Sequence, residues 1–369
     1  VGAVSTYTFE NVVDNHTIHA TFARKHTPTP STPTVEIPDD DALGLNTTDH
    51  FAYIVVKRAA IFSIVLSMSV SMMAQTLYNI GGDGRHAAAL SPEFPETMRF
   101  ADTDISFDRV DMYERMDREM ISLIYSHTNT MLTIKRANRY YSEILPILKE
   151  QGVPADFFYL AAIESCFDNR AVSVARAGGI WQFMPATARQ FGLEVNDYVD
   201  ERYNCEKATK AACKYLKQGY RKYGCWMTVA SSYNAGMGRI GTELDKQQEN
   251  NAFDLYLNQE TSRYIFRMLA IKLIMENPSD YGFHIKPGQL YYPIAYTEKK
   301  VDYPVDNWVD WAKKEGISYA QLREMNPWIR SVKLPNKSRK TYTVRIPVKK
   351  DLYRSTQTQQ IYNKNWILN

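Results

Sequence analysis

One acid in this chain sits where an acid is costly. Glu164 ends the apolar run Phe157-Phe158-Tyr159-Leu160-Ala161-Ala162-Ile163 and is followed by Ser165. A carboxyl on a buried helical face is unfavourable unless it is paired or carries its proton. Burial raises the pKa of such a group and fits it to donate a proton near neutral pH. A lone Glu at a helix end more often faces water, but the neighbouring residues argue otherwise. A glycine pair, Gly178-Gly179, leads into a second packed segment, Ile180-Trp181-Gln182-Phe183-Met184-Pro185. Asp168 lies four residues beyond Glu164 and by spacing shares a helix face with it. The favoured role for Asp168 is nevertheless to cap or order the loop at Asn169-Arg170.

The elements that must position this acid are helical. Met116, Met120, Leu123 and Ile124 mark one apolar face, and Met131, Ile134, Tyr141, Ile144, Leu145 and Leu148 mark another. Gly152-Val153-Pro154 closes that second helix and opens the one carrying Glu164. A short helix follows Pro185 and stops at Gly192. Asn204 to Tyr223 form a long amphipathic helix closed by Gly224. Trp226 to Tyr233 are apolar and small, ending at Asn234-Ala235-Gly236. Residues 241–251 read as a polar loop. Glu260 to Glu276 make a last helix, stopped by Asn277-Pro278. Residues 112–280 therefore read as one all-helical domain, and the fold class as mainly α. From residue 287 the pattern becomes strand, helix, helix, strand: Tyr291–Tyr296, Trp308–Glu315, Tyr319–Met325 and Thr341–Pro347. This α+β (βααβ) module spans residues 287–350, and residues 351–369 read as a polar tail.

With 369 residues the chain has room for two or three domains, and a formal charge of +3 gives no argument for nucleic acid. Its 25 Tyr and 6 Trp suit sugar-stacking surfaces and aromatic cores equally. None of Cys166, Cys205, Cys213 and Cys225 has the CxxC spacing of a zinc site. Either Cys205 or Cys213 could pair with Cys166 or Cys225; buried free thiols are the simpler expectation. Residues 57–75 begin with Lys57-Arg58 and continue through about sixteen apolar or small residues, in the manner of a secretory signal peptide, too short for a comfortable membrane span. A cleaved signal would place the protein in the periplasm or cell envelope without a stable anchor; a retained signal anchor is the alternative. Residues 1–23 look like the last hairpin of a bacterial surface β-repeat. Residues 24–56 read as a Thr/Pro-rich linker with a stretch resembling the start of an S-layer homology module. Residues 1–56 are thus expected to be foreign to the rest of the chain, and residues 76–111 to form an irregular N-terminal arm.

Four motifs in order carry a resemblance. Glu164-Ser165, then Gly179-Ile180-Trp181-Gln182-Phe183-Met184-Pro185-Ala186-Thr187-Ala188, then Ser232-Tyr233-Asn234-Ala235-Gly236, then Glu260-Thr261 with Tyr264, resemble those of the peptidoglycan lytic transglycosylases with a goose-type lysozyme-like (SLT) domain. Each is weak alone; together and in order they are specific, and they come closest to the membrane-bound D type of murein transglycosylase. The resemblance implies a lysozyme-like catalytic domain in which Glu164 alone protonates the glycosidic oxygen between N-acetylmuramic acid and N-acetylglucosamine. The same residue then acts as base on the muramoyl 6-hydroxyl, closing a 1,6-anhydro ring, so the enzyme is a lyase rather than a hydrolase. One carboxyl in both roles is chemically sufficient, because substrate-assisted enzymes do not need a second.

The resemblance also assigns supporting roles. Ser165 would hydrogen-bond Glu164 or substrate, and Gln182 and the backbone near Met184 would contact sugar. Gly179 would let the chain turn close to the ligand. Tyr233 would form a stacking wall, Asn234 would meet an N-acetyl group, and Tyr264 would bond the catalytic carboxyl. Glu260 is expected to be structural, a first-turn helix carboxylate. The 287–350 segment is similar to a LysM module, with Asn326-Pro327 at its usual helix end, which would add affinity for peptidoglycan. No metal or organic cofactor is implied. The alternatives are a catalytically silent peptidoglycan-binding protein and a hydrolytic lysozyme.

Overall fold

A computed structural model describes residues 91–368. The β-repeat remnant, the linker, the S-layer-like stretch, the signal-peptide-like segment and the first part of the arm lie outside the described residues. The described part of the arm is not irregular throughout. Thr97–Phe100 (β1) and Thr103–Ser106 (β2) pair as an antiparallel hairpin, turning through Ala101 at a φ of 54°. Phe100, Ile105 and Phe107 point from it into the core.

The helices begin with α1 (Val110–Tyr125) and α2 (His127–Glu150), separated only at Ser126. The apolar faces foreseen for them are buried, with Met116, Met120, Ile134, Ile144 and Leu148 sealed from solvent. Gly152, at a φ of 67°, turns the chain into α3 (Phe158–Ser165), which carries Glu164. Pro185 opens the short α4 (Pro185–Gln190). Helix α5 (Cys205–Tyr223) starts where the Asn204 side chain accepts from the Lys207 N–H and ends at Gly224, at a φ of 64°. Helix α6 (Trp226–Ala235) comes next.

The expected polar loop at 241–251 is largely a helix instead, α7 (Met237–Gln247), with Ile240 its one fully buried side chain. Its polar composition reflects exposure rather than irregular backbone. Helix α8 (Gln259–Glu276) is the central element: it is buried along nearly all of Tyr264 to Met275 and packs against α1, α3 and α6. A helix apolar on all sides belongs in a core. Glu119 of α1 is fully buried and bonds Arg263 Nε of α8 at 2.5 Å, with Arg267 and Arg118 beside it at 3.4 Å.

The C-terminal module has the foreseen order with one shifted strand. Strand β3 is Tyr296–Val301 rather than 291–296, followed by α9 (Trp308–Lys314), α10 (Tyr319–Met325) and β4 (Tyr342–Pro347). β3 and β4 pair antiparallel, from Tyr296 opposite Pro347 to Val301 opposite Tyr342. Asn326 ties α10 to β4: its amide donates to the carbonyls of Leu322 and Arg345 and accepts the Arg345 N–H at 2.8 Å. The module has its own hydrophobic core around Trp308, Ala312, Leu322, Ile329 and Val344.

The last residues are not a free polar tail. Trp366 is 2% exposed, donates to the Met275 carbonyl at 2.9 Å and stands edge-on to Tyr141 at 5.5 Å. The polar spacing around it hides a single large anchor. All four cysteines are free, with Cys205 and Cys213 buried. Trp366→Ala is expected to cost about 3–5 kcal/mol in chemical denaturation; an unchanged midpoint would show that the C-terminal residues contribute nothing to the helical core.

Candidate active site

Glu164 stands in the last turn of α3, which stops one residue later. Cys166 and Phe167 both take left-handed φ values, 51° and 53°, and the Phe167 ring packs at 4.6 Å on Phe158. The chain therefore leaves the helix before Asp168, and spacing does not put Asp168 on the Glu164 face. Asp168 accepts the Arg170 N–H at 2.9 Å and faces Arg136 at 3.6 Å, the loop-ordering role foreseen for it.

Tyr264 of α8 donates its hydroxyl to Glu164 Oε1. The carboxyl is half-buried among apolar neighbours, and desolvation, the largest influence, pushes its pKa up to about 7. The Tyr264 hydrogen bond and the positive charge of Arg267 oppose that rise, while the negative charge of Glu260 adds to it. Glu260, Tyr264 and Arg267 follow the i, i+4, i+7 spacing of one helix face. Glu260 is indeed a first-turn residue of α8, but sequence reasoning missed its electrostatic reach to Glu164, and missed Arg267 altogether. The i, i+4, i+7 spacing was the available signal. Burial raises the phenol pKa of both Tyr264 and Tyr233, with the Glu164 charge as second cause, so both remain donors.

The loop after α3 is fixed by backbone bonds. Gly178 N–H donates to Phe183 O, Gly179 N–H to Ala171 O, and Gln182 N–H to Gly179 O, all within 3.0–3.1 Å. Gly179 has a φ of 78°, and a Cβ there would lie 1.9 Å from the Arg202 carbonyl oxygen. The glycine is required by close backbone approach within the protein. Trp181 is fully buried and donates to Thr209 Oγ1 at 2.9 Å.

The remaining residues have partners of their own. Ser165 does not bond Glu164: its hydroxyl faces the Ile180 carbonyl at 2.9 Å, tying the end of α3 to the loop. Gln182, at a φ of 46°, donates its amide to the Gly179 and Ala171 carbonyls at 2.7 and 3.1 Å, which leaves its side-chain oxygen as the group able to meet a ligand. Tyr233 donates to the Trp181 carbonyl at 2.8 Å and stands edge-on to Tyr215, so it braces the loop. Asn234 accepts from the Thr261 hydroxyl at 3.0 Å, keeping its amide N–H groups. Met184 is 43% exposed at the start of α4.

A raised carboxyl pKa has a stability consequence. Between the ordinary Glu value and about 7 the folded chain holds a proton that the unfolded chain has released, so stability falls as pH rises through that window. Glu164→Gln is expected to lack this fall and to gain up to about 3 kcal/mol over wild type between pH 4.5 and 8. Parallel stability–pH curves for the two proteins would show that Glu164 is not perturbed.

Two segments of the chain match known domain families. Residues 146–255 match the transglycosylase SLT domain, and residues 297–350 match the soluble lytic transglycosylase C-terminal LysM-like domain. Membrane-bound lytic murein transglycosylase D of Escherichia coli (strain K12) is 28% identical over 222 residues, 59% of this chain and 48% of the relative. Peptidoglycan transglycosylase gp16 of Escherichia phage T7 is 33% identical over 123 residues, 32% of this chain and 9% of the relative. Among solved structures, lytic transglycosylase Slt of Pseudomonas aeruginosa is 25% identical, covers 37% of this chain and 24% of that one, and has a TM-score of 0.32. The chain spans about half the length of the E. coli relative. Glu164, the loop to Met184, Tyr233 and Asn234 lie inside the first matched segment, and Tyr264 lies beyond its end. The chain is thus similar to transglycosylase SLT domains over its helical part and to soluble lytic transglycosylase C-terminal LysM-like domains over its last module.

Proposed function

We propose that the protein is a peptidoglycan lytic transglycosylase of the cell envelope that cleaves the β-1,4 bond between N-acetylmuramic acid and N-acetylglucosamine. The observation that carries this reading is the Glu164 carboxyl, poised near pH 7 by burial and held by Tyr264. A group at that pKa exists in both forms at neutral pH, which suits one residue that must donate and then accept a proton.

In the proposed reaction Glu164, protonated, gives its proton to the glycosidic oxygen as the bond to the muramoyl C1 breaks. The carboxylate left behind takes the proton of the muramoyl 6-hydroxyl as that oxygen bonds C1. The product is a 1,6-anhydromuramoyl end, and Glu164 recovers its proton without water entering. Tyr264 steadies the carboxylate between the two transfers. The Gln182 side-chain oxygen, the Asn234 amide and the exposed Met184 segment would orient the sugars, with Gly179 shaping the loop. Ser165 and Tyr233 are assigned to holding that loop. The LysM-like module would add affinity for the same glycan strands.

Glu260 favours a second reading. It is a second carboxylate whose charge reaches Glu164, and a two-carboxylate site could direct water to C1 as a hydrolytic lysozyme does. Mass spectrometry of murein sacculi digested by wild type, Glu164→Gln and Glu260→Gln separates these readings. Wild type and Glu260→Gln are expected to release anhydromuropeptides, and Glu164→Gln to lose at least roughly a hundredfold in rate. Reducing-end products that vanish in Glu260→Gln would establish the hydrolase. Product from Glu164→Gln at the wild-type rate would remove Glu164 from its role, and no product from wild type would leave a binding protein.

A further inference from the structure

Between Val195 and Asn204 the chain runs as a strap from the loop side of the helical core to the C-terminal module. Val199 and Tyr203 contribute their side chains to the hydrophobic core of that module, Val199 bridges Ile329, and the Asp200 N–H donates to the Trp328 carbonyl at 2.9 Å. Asp200 and Arg202, on alternate positions, turn the other way. Both are almost fully buried, at 5% and 6% exposure. The two Asp200 oxygens accept from Arg202 Nε at 2.9 Å and Nη2 at 2.7 Å, a fork that fixes the guanidinium plane. The remaining nitrogen, Nη1, donates to the carbonyls of Arg176 at 2.7 Å and Phe183 at 2.9 Å.

Those two carbonyls bracket the loop that carries Gly179 and Gln182. The middle of the loop lies on the strap, with Gly179 against the Arg202 carbonyl and Gly178 beside the Tyr203 hydroxyl. The loop is in turn bonded through the Ile180 carbonyl to Ser165, the neighbour of Glu164. We propose that Arg202 is a positioning residue for catalysis: clamped by Asp200 on a strap anchored in the C-terminal module, it holds the 176–183 loop in register with Glu164. The module then contributes to turnover as well as to affinity for the wall. This inference rests on the transglycosylase reading for its kinetic consequence, though not for the clamp itself.

A buried arginine can also serve stability alone, and removing it would leave Asp200 buried and unpaired. Two full-length variants address this. Arg202→Lys keeps the charge beside Asp200 but lacks the planar fork that reaches both loop carbonyls. The double variant Asp200→Asn/Arg202→Gln removes both charges together. Amide hydrogen exchange reads the clamp directly at Gly178, Gly179 and Gln182, whose N–H groups donate to the carbonyls of Phe183, Ala171 and Gly179. In both variants exchange at these three amides is expected to accelerate by about tenfold or more while α5 and α8 keep their protection. Turnover on murein sacculi is expected to fall by roughly tenfold to a hundredfold, KM by much less, and co-sedimentation with sacculi to stay at the wild-type level. Exchange and kcat both within about twofold of wild type in Arg202→Lys would overturn the proposal, as would acceleration spread evenly over α5 and α8. If the double variant does not fold, Arg202→Lys decides alone. If wild type releases no product from sacculi, the transglycosylase reading fails while exchange still decides the clamp.

Discussion

A carboxyl withdrawn from water dominates this structure. Glu164 ends an apolar helix, and the cost of ionising it there raises its proton affinity. Among the described residues, the one side-chain hydrogen bond to it comes from Tyr264, a hundred residues later in the chain and on a different helix. The site therefore exists only while α3 and α8 keep their relative positions. α8 is suited to that task because it is buried on almost every side and joined to α1 through the enclosed Glu119 and its arginines. The same helix brings Glu260 and Arg267 to bear on Glu164 with opposite signs, so the local field is balanced by residues on one helix face.

The loop after α3 answers a second constraint. It leaves a helix that ends one residue after Glu164 and returns to that helix end at Ile180, whose carbonyl accepts from the Ser165 hydroxyl. Cys166, Phe167, Gly179 and Gln182 all adopt positive φ to achieve this, and for the three that are not glycine the conformation is held by surrounding bonds and packing. Polar side chains of the motifs are partly engaged in this holding: Ser165 to Ile180, Gln182 to Gly179 and Ala171, Tyr233 to Trp181. The loop is fixed in this way, and fewer of its polar groups remain free to meet a ligand than the motif residues alone would indicate.

Much of this was legible in the residues. Asn204 and Gly224 bound α5 almost to the residue, and Tyr319–Met325 was read as a helix with its observed limits, because caps and periodicity act locally. The pairing of Glu164 with Tyr264 came from motif resemblance, since nothing in their separation points one to the other. Helix α7 was not legible, because a helix that buries little beyond Ile240 has no apolar stripe to detect. Strand β3 was misplaced for the same reason: Thr297 to Lys300 face solvent, while the more apolar Tyr291-Tyr292-Pro293 leads into it. Trp366 and Arg202 were missed because the distant acceptors of their hydrogen bonds are backbone carbonyls, of Met275 and of Arg176 and Phe183, and a carbonyl has no residue identity to read.

The proton on Glu164 is the central claim, and its titration can be observed directly. Carbon-13 NMR of the glutamate side-chain carboxyl carbons, with Glu164→Gln used to assign the signal, gives its midpoint in the folded protein. The structure predicts a midpoint near 7, well above the solvent-exposed glutamates. A Glu164 midpoint at the ordinary value of about 4.3 would contradict the account, because the carboxyl would then be fully ionised at neutral pH and unable to donate the proton that begins the proposed reaction.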